Sequence, residues 1–325
     1  MVLAMREYGG YLEFEHKEYA SYYPNMLALN TGRNCLKYLI QAKNIKHIYM
    51  PRFICEVVIQ VCEDESVQID YYSIDKDFMP KDLTVDDEEA YVYIVNYYGI
   101  LKDEVLIQLS EKWRIIIDNA QAFFRKPIHG IDTIYTCRKF FGVSDGAYLS
   151  TDVFMDKELS TDHSYDRMEY LFGRIDTCAS DFYNKFQENE EELGNKETAY
   201  MSNVTKAILS LVDYESVKGK RTENFQELNR ELNQYNKIKN LNHITGAYMY
   251  PLLIKDGANV RKYLQEHKIY ISMLWPNVIE TEAEDSYEYY LAQNILPIPC
   301  DQRYDSDDMR YIATMIKKMV VSNNL

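Results

Sequence analysis

Two short segments in the first half of the chain carry an acid and an amine that could serve one reaction. Residues 115–117 are all isoleucine, which is typical of a buried strand, and Asp118 follows at its C-terminal end. Lys139 lies in a short turn that leads through Asp145 and Gly146 into another strand. A carboxylate for a pyridinium nitrogen and a lysine for a Schiff base are the minimal protein groups of pyridoxal phosphate chemistry. The pair therefore predicts a pyridoxal phosphate site.

Asp118 and Lys139 each also have an ordinary structural interpretation. Asp118 could cap the turn after its strand, and Lys139 could be one of the many lysines on the surface. As functional groups, Asp118 would keep a pyridine ring protonated, whereas Lys139 would need a desolvated pocket or a neighbouring cation to lower its pKa. Ala120 is small enough to lie under a flat ring, and Gln121 could contact the ring hydroxyl.

A third candidate is the turn before the first amphipathic helix, which contains Thr31, Gly32 and Arg33. Gly32 lets the backbone approach a ligand, and the helix N-terminus offers free N–H groups to a phosphate. Thr136, at the end of a later strand, could add a hydroxyl. The alternative is a plain helix cap by Asn30 or Thr31. The glycine patterns of dinucleotide sites and P-loops are absent from the sequence.

The apolar pattern predicts strands that alternate with helices through the first half of the chain. Apolar residues recur at helical spacing near positions 35–40, 57–61 and 105–109. This alternation favours βαβ units and an α/β fold with a mostly parallel sheet, whose ligands bind at the carboxyl ends of the strands. The predicted strands are 47–50, 67–72, 91–97, 113–117, 133–135 and 147–150.

The second half predicts a charged helical region followed by a small α+β domain. The expected elements are an exposed loop at 188–194, helices at 200–213 and 215–235, strands at 248–254, 270–274 and 295–298, and a last helix from about 306. Ser306 is the expected N-cap of that last helix. We therefore expect a large domain at 1–235 and a small C-terminal domain at 236–325.

Composition excludes several classes of function. The net charge of −15 argues against a general nucleic-acid or membrane-surface binder, which needs basic patches. The six cysteines are scattered, without Cys-x-x-Cys or a Cys/His cluster, so neither a disulfide framework nor a metal site is expected and a reducing cytoplasm is the expected compartment. No apolar run approaches the roughly 20 residues that span a bilayer, and the N-terminus has no apolar signal core.

The order of these motifs resembles the DegT/DnrJ/EryC1/StrS family of sugar aminotransferases, and the resemblance runs from about Leu27 to Met319. That family has a turn before its first helix, a strand end leading to a ring-stacking aromatic, a strand ending in Tyr-Gly, an acidic motif ending in Gln, a lysine loop and a proline-containing strand. The matching segments here are Thr31-Gly32-Arg33-Asn34-Cys35-Leu36, Met50-Pro51-Arg52-Phe53-Ile54-Cys55, Val95-Asn96-Tyr97-Tyr98-Gly99, Ile117-Asp118-Asn119-Ala120-Gln121, Lys139 with Asp145-Gly146-Ala147, and Leu296-Pro297-Ile298-Pro299-Cys300.

The resemblance implies a three-layer, type I PLP-transferase fold with a small C-terminal α+β domain. It also implies a homodimer with shared active sites, and transfer of an amino group from a donor such as glutamate to a keto (nucleotide-)sugar, in polysaccharide or secondary-metabolite biosynthesis. Lys139 would carry the Schiff base, with Asp118 at the pyridinium and Gln121 near the ring hydroxyl. The remaining cofactor-binding residues that it implies are Gly32, Arg33, Cys55, Ala120 and Thr136.

The chain departs from the family pattern at positions that bear on function. Cys55 aligns with the ring-stacking aromatic unless Phe53 replaces it, and Arg33 and Asn34 replace smaller residues. The lysine loop is also shorter on its N-terminal side. Two alternatives to transamination therefore stay open: another PLP reaction, such as a lyase or racemase, and a degenerate homologue that binds or regulates without catalysis. Loop residues near strand ends are candidates for substrate contact, namely Trp275, Arg303 and Tyr304.

Overall fold

A computed structural model describes residues 8–17 and 21–322, and its main feature is a large sheet. Eight strands of the described chain form this sheet in the order β1-β8-β7-β6-β5-β2-β3-β4. The strands are β1 (Leu27–Leu29), β2 (His47–Pro51), β3 (Gln68–Ile74), β4 (Pro80–Lys81), β5 (Tyr91–Val95), β6 (Arg114–Asp118), β7 (Asp132–Thr136) and β8 (Ala147–Ser150).

The strands at the centre of this sheet are parallel. β3, β2, β5, β6 and β7 run in one direction, while β8 pairs antiparallel with both β7 and β1. β1 therefore runs in the same direction as β7, and its C-terminal end lies at the same edge of the sheet. The predicted α/β fold with a mostly parallel central sheet is confirmed.

Helices follow most of these strands and complete the layers around the sheet. On β7, Ile134 belongs to one buried apolar cluster and Tyr135 to another, and on β8 Leu149 and Tyr148 divide in the same way. Because successive side chains of a strand point to opposite faces, both faces of the sheet are covered. The helices of this part are α1 (Gly32–Lys43), α2 (Glu56–Asp64), α3 (Asp103–Ser110), α4 (Glu169–Asp176), α5 (Tyr183–Asn195), α6 (Asn203–Ser210) and α7 (Tyr214–Leu232).

The C-terminal part is a two-stranded antiparallel sheet with four helices. Its elements are β9 (Met249–Leu253), α8 (Gly257–Glu266), α9 (Pro276–Thr281), α10 (Tyr287–Asn294), β10 (Ile295–Pro299) and α11 (Ser306–Ser322). The long helix α7 packs against both α11 and β9, so it links the two parts of the molecule. The content is that of the expected small α+β domain, and the boundary at residues 235 and 236 stays a prediction.

Two expectations for strands and loops are wrong. Residues 270–274 form no strand: Ile271 is buried and Tyr270 exposed, as in a strand, yet no described strand pairs with them. Alternation alone misled here, because a strand also needs a partner for its backbone groups. The predicted loop at 188–194 lies inside α5, where Leu193 is fully buried and Lys185 pairs with Glu188 three residues on.

The start of the last helix also differs in detail from the expectation. Ser306 is its first residue, and the capping side chain is that of Asp305, whose Oδ1 accepts hydrogen bonds from the amides of Asp307 (2.9 Å) and Asp308 (3.1 Å). A carboxylate at this position also favours the positive end of the helix dipole. No helix in the described ranges is both long and apolar enough to cross a membrane.

Candidate active site

The sheet brings the predicted site residues to one edge. Asp118 at the end of β6 lies beside Val95 at the end of β5 and beside Ile134 in β7. Thr136 at the end of β7 pairs with Ala147 of β8, which in turn pairs with Leu29 at the end of β1. The turns after these strands therefore converge, and they contain most of the residues singled out from the sequence.

The turn after β1 forms the N-terminus of α1. Thr31 caps the helix, because its hydroxyl accepts a hydrogen bond from the amide of Asn34 at 3.1 Å. In the described structure the amides of Gly32 and Arg33 make no hydrogen bond with the protein, so both can bind an anion. A Cβ built on Gly32 would lie 3.8 Å from Ile134, an ordinary contact. Packing within the chain therefore does not require glycine here, whereas a ligand close to the backbone would.

Asp118 is half-buried and held by two hydrogen bonds. Oδ2 accepts from the Tyr93 hydroxyl at 3.0 Å, and Oδ1 accepts from the amide of Ala120 at 2.8 Å. The second bond is the turn cap that the ordinary interpretation predicted. A carboxylate has about four acceptor positions, so Asp118 can still accept a hydrogen bond from a protonated ring nitrogen. Ala120, also half-buried, lies directly beside it in the turn.

Gln121 is buried and ties the turn after β6 to the turn after β5. Its Oε1 accepts a hydrogen bond from the amide of Tyr98 at 2.8 Å, which leaves its amide nitrogen as the group able to donate to a ring hydroxyl. Tyr98 has φ +54° and is fully buried, and its hydroxyl has no partner among the described residues. Strained backbone and an unpaired buried hydroxyl cluster at functional sites, and sequence reasoning did not single out Tyr98.

Lys139 lies in the turn after β7, and the turn is fixed by its neighbours. Phe140 is buried, and its carbonyl accepts hydrogen bonds from Arg221 (3.1 Å) and Gln302 (2.8 Å). Lys139 itself is exposed, with Nζ 5.6 Å from the centre of the Tyr248 ring. Among the described residues no carboxylate lies within 4 Å of this amine. The desolvated pocket expected around it is therefore not formed by one chain alone.

The structure separates the two candidates for the residue that faces the ring. Phe53 is fully buried, with its ring 4.3 Å from that of Trp275 and 5.4 Å from that of Tyr97, so it belongs to the core. Cys55 is half-buried, and its free thiol makes no capping bond to α2. Of the two, Cys55 is the one that a ligand can reach.

The other sequence-based candidates have different surroundings. Thr136 is half-buried at the end of β7, and its hydroxyl makes no hydrogen bond within the described chain, so it is free to bind a ligand. Trp275, expected in an open loop, is buried in the same aromatic cluster as Phe53. Arg303 pairs with Asp301, with Nε 2.6 Å from the carboxylate, and covers the Tyr304 ring. Trp275, Arg303 and Tyr304 stay candidates for substrate contact only because of where they lie in the chain.

Two arginines give this edge of the sheet a positive charge. Arg33 is half-buried, and burial lowers its pKa, an effect that the nearby sulfur of Cys55 opposes. Burial also lowers the pKa of Arg138, which forms an ion pair with Glu190 of α5. Sequence reasoning gave Arg138 no role; its position just after the end of β7 was the signal that could have identified it.

The residues present fit pyridoxal phosphate. Unpaired amides at Gly32 and Arg33 suit its phosphate, Asp118 suits its ring nitrogen, and the free end of Gln121 suits its hydroxyl. Lys139 offers an amine that no carboxylate holds within the described chain. The phosphate, the ring nitrogen, the ring hydroxyl and the aldehyde of the cofactor thus each have a partner that can still form a bond.

Comparison with known proteins identifies the fold. No protein-family model matches the sequence, and no curated protein matches it either. Solved structures do match. DesV from S. venezuelae, solved with a ketimine intermediate, shares 14% identity at a TM-score of 0.65, over 90% of this chain and 84% of that one. The sugar aminotransferase CalS13 from Micromonospora echinospora shares 13% at a TM-score of 0.62, over 91% and 87%.

A third similar structure carries the family name that the motifs led us to expect. It is a DegT DnrJ EryC1 StrS aminotransferase from Brucella abortus, with 14% identity and a TM-score of 0.60 over 90% of this chain and 85% of that one. The chain therefore has the fold of these aminotransferases, and the predicted three-layer, type I PLP-transferase fold is confirmed. At such identities, what each relative binds or converts remains a statement about that relative.

Proposed function

We propose that the protein is a pyridoxal phosphate-dependent aminotransferase of the DegT/DnrJ/EryC1/StrS type. It transfers an amino group from a donor such as glutamate to the keto group of a nucleotide-linked sugar. The observation that carries the proposal is the convergence of Asp118, Lys139 and the N-terminus of α1 at the carboxyl edge of one parallel sheet. The sugar acceptor is supported by the similarity to CalS13, which is a sugar aminotransferase.

Each site residue has a separate role in the proposed reaction. When bound, pyridoxal phosphate supplies an aldehyde for amines and a cationic ring that withdraws electrons. Lys139 provides the amine that attaches the cofactor, and once released it moves a proton as general acid and base. Asp118 holds the proton on the ring nitrogen, and Tyr93 and the Ala120 amide fix the orientation of that carboxylate. The amides at the start of α1 and the Thr136 hydroxyl bind the phosphate.

Assembly into a cytoplasmic homodimer completes the proposed site. Lys139 is exposed in the isolated chain, and a second copy over this edge would exclude water from it. The free cysteines are consistent with a reducing compartment.

Two observations favour a second candidate, a homologue that binds without catalysis. Cys55 offers less area to a flat ring than an aromatic side chain, and Lys139 lacks a desolvated pocket in one chain. The retained set of Asp118, Gln121 and Lys139 favours the enzyme, because binding alone requires neither the amine nor a proton held on the ring.

A half-reaction separates the candidates. The purified protein, loaded with pyridoxal phosphate, is mixed with glutamate in the absence of an acceptor. An aminotransferase yields one 2-oxoglutarate per site and shifts the cofactor absorbance to that of the amine form. A lyase or racemase yields no stoichiometric oxoacid, and a binding protein leaves the spectrum unchanged; either result overturns the proposal. Lys139→Ala serves as the matched control, and it should give no 2-oxoglutarate.

A further inference from the structure

Arg33 is a half-buried arginine without a counter-ion. In the described ranges no carboxylate lies within 4 Å of its guanidinium, and it makes no hydrogen bond. The more deeply buried Arg167 shows the usual arrangement, because Asp162 lies 3.1 Å from it. A partly desolvated charge without a partner is costly.

Arg138 brings a second guanidinium to the same place. Arg138 pairs with Glu190, and the Arg33 guanidinium lies against Gly194, four residues further along α5, so the two groups are neighbours. Burial lowers the pKa of Arg138, and the charge of Arg33 acts in the same direction. The Nε atom of Arg138 is buried and makes no hydrogen bond. Arg33 is the second residue of α1, and its amide and that of Gly32 are unpaired within the described chain at the end of α1 where the helix dipole is positive.

Two carboxylates act on Arg138: Glu190 pairs with it directly, and the buried Asp145 acts on it without a direct contact. Glu190 reaches Arg138 from α5, and the same helix binds the lysine turn through Asn189, which donates to the carbonyl of Ser144 at 3.1 Å. The Arg33 guanidinium lies against Gly194 near the end of α5, 3.3 Å from where a Cβ would be. Asp145 is bound by Ser202 and Thr205, and Glu190 is bound by Arg138, so among the described residues no carboxylate pairs with Arg33, whose charge an anion would neutralise.

We propose that the side chains of Arg33 and Arg138 form a two-arginine clamp for the phosphate group of the cofactor. When no phosphate is bound, Glu190 pairs with Arg138, so Glu190 and the phosphate compete for that guanidinium. This inference rests on the proposed function and extends it, since the family motifs imply only backbone amides and a hydroxyl at the phosphate. Guanidinium groups bind phosphate oxygens in pairs of charge-assisted hydrogen bonds, so the clamp ties cofactor affinity to the phosphate monoester.

The test compares two cofactor forms that differ only in the phosphate. The dialysed wild-type protein and the variants Arg33→Gln, Arg138→Gln and Glu190→Gln are titrated with pyridoxal phosphate and with pyridoxal, followed by absorbance. Each arginine variant should bind pyridoxal phosphate roughly tenfold to hundredfold more weakly, the range for a hydrogen bond to a charged group, and bind pyridoxal as the wild type does. Glu190→Gln should bind pyridoxal phosphate more tightly. Arg230→Gln, an exposed arginine on α7, is the control.

The outcomes separate this inference from the proposed function. Arginine variants that bind pyridoxal phosphate as the wild type does would overturn the clamp, as would equal losses for both cofactor forms, which indicate a structural role. A wild type that binds neither form refutes the proposed function. In that case the clamp is tested by inorganic phosphate, which should raise the melting temperature of the wild type and not that of the arginine variants. If phosphate changes the melting temperatures of the wild type and the arginine variants equally, the clamp is overturned in this case too.

Discussion

The side chain of Asp118 combines a structural and a chemical role at one position. Its two oxygens accept hydrogen bonds from Tyr93 and from the Ala120 amide, so the carboxylate has a fixed direction before any ligand binds. Because the carboxylate is already oriented, it does not have to reorganise when a ligand binds, so the site is preorganised for one ligand geometry. The proposed hydrogen bond to the ring nitrogen is the part of this arrangement that bears on catalysis.

Replacing Asp118 with Asn tests that role. Asn can still accept from the Ala120 amide and can donate to the Tyr93 hydroxyl, so the fold should be retained. Loss of the negative charge should lower kcat by roughly tenfold to hundredfold, because a charge-assisted hydrogen bond to the ring is removed. Steady-state kinetics measure the effect, and Tyr93→Phe, which keeps the charge, should show a smaller one. An unchanged kcat in Asp118→Asn would exclude the role.

At the scale of single residues, the sequence predicted the site residues that lie at the ends of strands. Asp118 was identified because a carboxylate after three isoleucines must reach either a partner or an edge. Tyr98 and Glu190 could not be identified, because their importance depends on a positive φ and on a contact across 52 residues of sequence (138 to 190). For Lys139 the sequence left both a surface position and a desolvated pocket open, and it could not decide between them because the choice depends on how the following phenylalanines pack.

At the scale of elements, the lysine turn is held in place by α6. The carboxylate of Asp145 is fully buried and accepts hydrogen bonds from the amide of Ser202 (2.8 Å), from its hydroxyl (2.7 Å) and from the hydroxyl of Thr205. Asp145 thus binds the first turn of α6 from a distant part of the chain. The acidic residue of the lysine motif is therefore a structural anchor of the turn that carries Lys139.

Removing this anchor should destabilise the protein. Asp145→Ala leaves the Ser202 amide and the Thr205 hydroxyl without an acceptor, whereas the Ser202 hydroxyl can still donate to that of Ser164 at 2.7 Å. Each unpaired donor costs about 1–3 kcal/mol before the structure relaxes. We expect the free energy of unfolding to fall by about 2–4 kcal/mol, measured by urea denaturation. Asp152→Ala is the control, because that side chain is 71% exposed in its pair with Lys43 and should cost less than about 1 kcal/mol. Equal losses in the two variants would contradict the anchoring role.

The elements themselves were predicted where the periodic pattern was long and the partners were local. The central strands β5 and β6 were found because they are apolar on both faces. The segment at 270–274 failed, since pairing depends on strands elsewhere that alternation does not report. The short strands β1 and β4 were missed because three and two residues are too few to show the alternation of apolar and polar residues that identifies a strand.

At the scale of the whole molecule, the site lies at the edge of a sheet that one chain leaves open. The proposed homodimer predicts a mass of twice the 38.4 kDa of the chain in light scattering. Because a shared site binds cofactor only when assembled, dilution below the dimer dissociation constant should release pyridoxal phosphate along with the mass change. A monomer that binds the cofactor fully would show that one chain is sufficient.

The attachment point of the cofactor tests the central claim most directly. The wild-type protein is incubated with pyridoxal phosphate, reduced with borohydride, digested and mapped by mass spectrometry. We predict a single pyridoxyl-modified peptide carrying the group on Lys139, and no modified peptide from Lys139→Ala folded to the same extent. A modification on any other lysine, or none in the folded wild-type protein, would contradict the assignment of this edge of the sheet as a pyridoxal phosphate site.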